Sequence, residues 1–156
     1  MSENRFFGRR ALGVAFVVLG SLTCLATPAF GQSQYKFALS SGLFLMPPKT
    51  ASVDWAVVNN DLTMQKFTVT VYRHGVGVPR VAVVPGPLQF ALNPTEATHN
   101  ANSAGPGQPF EPGFYYEVIL ETDSPYVLPS VTAWPGHFGE AIPGTLIPPG
   151  SWVRVP

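Results

Sequence analysis

Of the 17 prolines only Pro28 lies before Pro47, and the other sixteen punctuate the chain from there to Pro156, with one long proline-free run at 49–78. No stretch of a dozen residues after position 31 carries a 3.6-residue apolar period free of Pro and Gly. Proline removes a backbone donor and clashes with the preceding helical turn, and in the proline-free run no helical period appears, so no helix of ordinary length is expected. What recurs instead is apolar alternation with period two, in short runs bounded by turn residues. That is the pattern of strands.

In "QYKFALSSGLFL", Tyr35, Phe37, Leu39, Leu43 and Leu45 share one parity and predict a first strand. "SVDWAVVNNDLTMQKFTVTVYRHG" reads as a hairpin turning at Asn59-Asn60-Asp61, residues that bond their own backbone. Val53, Trp55 and Val57 take one face of its first arm; Phe67, Val69 and Val71 point inward on the return, with Lys66, Thr68 and Thr70 outward. Leu88, Phe90 and Leu92 alternate after Pro85-Gly86-Pro87, and "NPTEATHNANSAGPGQPFEPG" reads as a long polar loop with a short strand near Thr95–His99. "FYYEVILETD", "YVLPSVTAW" and "GTLIPPGSWVRVP" complete the chain. About seven short strands in roughly 120 residues predict an all-β fold, a two-sheet antiparallel sandwich.

The run "EPGFYYE", Glu111 to Glu117, resembles the acid-x-Gly-x-Tyr-x-Cys run that enters the F strand of immunoglobulin domains. With the strand pattern, it makes the chain similar to the immunoglobulin-like and fibronectin-like sandwiches of exported bacterial proteins. The resemblance implies architecture and no activity. Glu117 stands where that family has its cysteine, and Tyr116, Val118 and Leu120 form the more apolar parity of this strand.

Arg5, Arg9 and Arg10 precede a segment, Ala11–Leu25, that is apolar or small apart from Ser21 and Thr23. Small residues follow, with cleavage points after Ala29 or Gly31. Residues 1–31 are therefore expected to be a secretory signal peptide, of general or twin-arginine type, and 32–156 the β-sandwich domain. The rival is an uncleaved anchor over Ala11–Phe30, which Gly13, Gly20 and Pro28 weaken. The expected location is exported: periplasmic, cell-surface or extracellular. Cys24, the one cysteine, falls in the leader, so residues 32–156 form no disulfide and offer no thiolate. They carry six Lys and Arg against eight Asp and Glu, a net charge of −2 with no basic stripe. Nucleic acid and acidic membrane surfaces are poor partners for such a domain, and the membrane is met only through the signal segment.

Catalytic signatures are missing. His74, His99 and His137 are widely spaced in turn-like contexts, which does not suit a metal site, and there is no nucleophile elbow for serine chemistry. Glu117 and Glu121 share a parity that reads as the solvated face of a half-buried strand. No catalytic residue, metal or cofactor is expected. Two stretches suit binding. Asn100 and Asn102 offer amides in "HNANSAGPG", and Trp134, His137, Phe138 and Glu140 cluster in "WPGHFGE", between strands. Trp134 is either an exposed anchor or a plug closing the sandwich end. The sequence thus leads to an exported, non-enzymatic binding or structural module at the cell envelope or outside it, with a protein or glycan partner. The alternatives are a carbohydrate-binding module using exposed aromatics, and a small hydrolase or metal-binding protein. A monomer is expected, ahead of a polymer in which the Tyr35–Leu45 segment is donated to a neighbour.

Overall fold

The computed structural model describes residues 34–83, 87–136 and 140–156, and the leader read at 1–31 lies outside them. The described residues build ten strands and a single 3-10 turn. The strands are β1 (Phe37–Ser40), β2 (Phe44–Leu45), β3 (Ser52–Asn59), β4 (Gln65–Gly75), β5 (Val78–Ala82), β6 (Leu88–Leu92), β7 (Ala97–Ser103), β8 (Tyr115–Thr122), β9 (Val127–Trp134) and β10 (Val153–Val155). They form two antiparallel sheets. The large one runs β10-β1-β8-β4-β5, with β2 also on β8 and β6 also on β4; the small one runs β7-β3-β9. Among the described residues no helix is long and apolar enough to cross a membrane.

The inward parities fill the space between the sheets. Val53, Trp55, Val57, Val131 and Ala133 of the small sheet meet Phe67, Val69, Val71, Tyr116, Val118 and Leu120 of the large one, all buried. Phe90 joins the layers: its ring lies 5.3 Å from Trp55, edge on, and 5.4 Å from Phe67, stacked. Apolar burial on this scale is the main favourable term for a chain without disulfides.

Three local readings change. The stretch 52–75 is not a hairpin, because β3 belongs to the small sheet and β4 to the large one. The buried Asn59 makes the crossing: its Nδ2 donates to the carbonyls of Thr63, Leu92 and Asn93, and its Oδ1 accepts the Asp61 N–H. Tyr35–Leu45 is two short strands rather than one. Gly42, at φ +69°, breaks the alternation, so Phe44 faces Tyr116 on the core side while Leu43 and Leu45 are exposed. Both strands pair with β8 of the same chain. Finally, the short strand expected near Thr95–His99 is the seven-residue strand β7, which takes a third of the expected loop 93–113 and pairs with β3 from Ser52 to Val58.

At the entry to β8, Tyr116 is the inward residue, fully buried. Its hydroxyl accepts the Glu111 N–H at 2.7 Å and donates to the Glu111 carbonyl at 3.3 Å. This is the tie to upstream backbone that tyrosine corners make in sandwich domains. It is made by Tyr116 rather than Tyr115, so the resemblance carried by "EPGFYYE" is offset by one residue and Glu117 points outward.

Candidate functional site

Glu117 lies on the outer face of the large sheet, opposite Tyr72 of β4 and close to Ser40 of β1 and His74 of β4. Its side chain is only 13% exposed. Ser40 Oγ donates to Oε1 at 2.6 Å, while His74 Nε2 and Arg80 Nη1 donate to Oε2 at 3.0 and 2.8 Å. Arg80, from β5, also lies over the Tyr72 ring, 4.1 Å from its centroid. Three strands and the edge strand β5 thus converge on one carboxylate. Burial pushes the Glu117 carboxyl up, but the hydrogen bonds of Ser40, Arg80 and His74 and the charge of Arg80 outweigh it, leaving it below the ordinary value.

These bonds decide what the cluster can do. A nucleophilic serine needs a base to take its proton. Here the Ser40 proton goes to Glu117, its oxygen accepts the Gly42 N–H at 2.9 Å, and His74 addresses Glu117 instead. A general acid must hold its proton near neutral pH, and a carboxyl lowered below its ordinary value does not. The cluster is a fixed, charged group of side chains on the outer face of the large sheet. Exposed apolar groups surround it on the same face: Leu45 and Tyr115, each 50% exposed and facing one another across β2 and β8, and Val153 opposite Ser40.

The residues selected from sequence occupy other places. Trp134 ends β9 on the outer face of the small sheet, half-buried, its carbonyl accepting the Ala51 N–H at 2.8 Å. His137 and Phe138 lie outside the described residues. Glu140 is exposed, two residues before Ile142 returns to bond the Ala133 carbonyl. Asn100 and Asn102 sit in β7 opposite Trp55 and Val53 and share their inward parity. Strand parity therefore puts these two amides on the opposite side of the small sheet from Trp134. His74 and His99 are strand residues rather than turn residues, on the outer faces of different sheets. They do not converge. His99 faces Asp54 at 3.6 Å, too long for a hydrogen bond. Among the described residues no group of three His, Cys, Asp or Glu stands close enough to hold a metal ion.

Glu117 was visible in the sequence only as an outward carboxylate. The signal that singles it out is its parity with His74 and Ser40 across three strands, and that pairing depends on registers no local pattern contains.

No protein-family model and no curated protein matches this sequence. Among solved structures, the chain is similar to the Anabaena sensory rhodopsin transducer, at 14% identity over 65% of this chain and 84% of that one, with a TM-score of 0.38. At that level the likeness is too distant to carry a function from one chain to the other.

Proposed function

We propose that residues 32–156 are an exported, non-enzymatic β-sandwich module at the cell envelope or outside it, and that they bind a protein partner through the outer face of the large sheet. The observation that carries this reading is the Glu117 centre, tied to Ser40, His74 and Arg80 and bordered by exposed Leu45, Tyr115 and Val153. Interfaces concentrate energy in aromatic, Arg and apolar anchors around polar groups whose geometry is already fixed. Strand-borne side chains satisfy that condition without ordering a loop on binding.

The immunoglobulin-like reading belongs to this proposal as architecture. The pairs β3–β7 and β4–β8 correspond to B–E and C–F of that sandwich. The terminal strands exchange places: β1 lies beside β8, where that fold has its last strand, and β9 beside β3, where it has its first.

Carbohydrate recognition is the second reading, favoured by Tyr115, a half-exposed ring whose register partner is the polar His74. A screen of the secreted protein against envelope proteins and glycans separates the two. On the first reading Tyr115→Ala weakens a protein complex by about 2 kcal/mol with the melting temperature unchanged. Wild-type binding by both Tyr115→Ala and Leu45→Ala, with loss in Trp134→Ala, would move the site to the small sheet. N-terminal sequencing tests export: the secreted chain should begin after Ala29 or Gly31, and one beginning at Met1 would refute cleavage.

A further inference from the structure

Three loops close one end of the sandwich: 60–64 between β3 and β4, 93–96 between β6 and β7, and 123–126 between β8 and β9. Buried Asn59 ties the first two, its N–H bonding the Glu96 carbonyl and its own carbonyl accepting the Thr95 N–H. The first and third are tied by the Asn60 N–H on the Tyr126 carbonyl at 3.0 Å and by Ser124 Oγ donating to Asp61 Oδ2. Lys36 N–H reaches Asp123 Oδ1 at 3.1 Å, so the chain enters β1 at this same end.

Polar and apolar side chains are used differently in these loops. Asp61 also accepts the Thr63 N–H and hydroxyl, and Glu96 accepts the Asn93 N–H and side-chain amide. With Asp123 on Lys36, each acid of the three loops is bonded within the loops or to the entering chain. The large apolar groups stay outside. Leu62 is 91% exposed, Tyr126 59% and Met64 54%. One exposed leucine needs no explanation, but three such groups gathered on tied loops form the kind of patch that marks a contact site.

We infer that this end of the sandwich rests on a lipid bilayer, with Leu62, Met64 and Tyr126 dipping into the headgroup boundary. The chain that precedes the described residues argues for this occupant. Six residues lead back from Lys36 to Phe30, the end of the stretch Ala11–Phe30, and six residues span at most about 20 Å. A chain that still carries its leader in a bilayer is therefore tethered by the end that bears the patch. Leu and Met bury apolar area below the headgroups, and Tyr pairs an apolar body with a polar tip suited to the boundary. The loops hold three acids and no Lys or Arg, which selects zwitterionic lipid over anionic lipid. Three side chains alone make a weak contact, and the tether raises their effective concentration at the surface. Cleavage would then release the module. The contact presupposes the leader of the export reading above, and it adds a second point of membrane contact where the sequence led to one.

Full-length chain in a Cys24→Ser background, mixed with vesicles of phosphatidylcholine brominated on its acyl chains, tests this. A bimane label at Met64→Cys should shift to the blue and lose emission several-fold on adding vesicles. The same label at Val76→Cys should do neither, since Val76 is fully exposed beyond the other end of β4, about 33 Å from Gln65. Leu62→Asp should abolish the Met64 response with the melting temperature unchanged, because so exposed a side chain has little packing to lose. A chain that stays off the vesicles, a vesicle-bound chain whose Met64 label is not quenched, or equal quenching at Met64 and Val76 would each overturn the inference. So would a blue shift at Met64 that appears without vesicles as protein concentration rises, which would give the patch to a second copy. N-terminal sequencing of the exported chain reads the leader independently, so failure of the export reading is told apart from failure of the contact.

Discussion

At the scale of single residues, two polar side chains carry more of this fold than their exposed neighbours do. Asn59 is fully buried and gives its amide hydrogens to three carbonyls at the crossing between sheets. Asn59→Ala strands those acceptors and should cost about 2–3 kcal/mol in a denaturant melt, against less than about 0.5 for the exposed neighbour Asn60→Ala. Glu117 behaves differently because it titrates. Its folded pKa lies below the ordinary value near 4.5, so its contribution is complete above that value and is lost as pH falls through the lowered one. Glu117→Gln should therefore lower stability by about 1–2 kcal/mol at neutral pH, with the gap to wild type closing as pH falls below about 4.5. Parallel melts from pH 7 to pH 3 check the sign. A gap that widens in acid would show that Glu117 is not held by these partners as a carboxylate.

Single elements show what a sequence pattern reaches and where it stops. The inward positions of β3, β4 and β8 were legible because apolar side chains at period two have only one face to bury. Strand β7 was legible only at its start, near Thr95–His99, because Thr98, Asn100 and Asn102 take its inward parity and no hydrophobic period marks its length. Its pairing with β3 is set by the ladder and by the Ala104–Ala51 bond. The hairpin reading of 52–75 failed for a related reason: alternation identifies strands but not which sheet receives them, and the Asn59 contacts that send β4 across involve residues more than 30 positions away. The short strand β6 matters beyond its five residues, since Phe90 is the ring shared by Trp55 and Phe67. Phe90→Ala should cost about 3 kcal/mol or more by leaving a cavity between the sheets, whereas Gln89→Ala, on the outer parity, should stay within about 0.5 kcal/mol. Equal losses at both positions would mean that β6 serves the large sheet alone and not the join between the layers.

For the whole molecule, the absence of cysteine after residue 31 bears on what holds the fold together. A sandwich with no disulfide owes its stability to packing and hydrogen bonds, so reductant has no bond in it to break. Thermal melts of the secreted protein should accordingly be indifferent to reductant. A melting temperature that falls when reductant is added would show that a covalent bond, and not packing and hydrogen bonds alone, holds the native state.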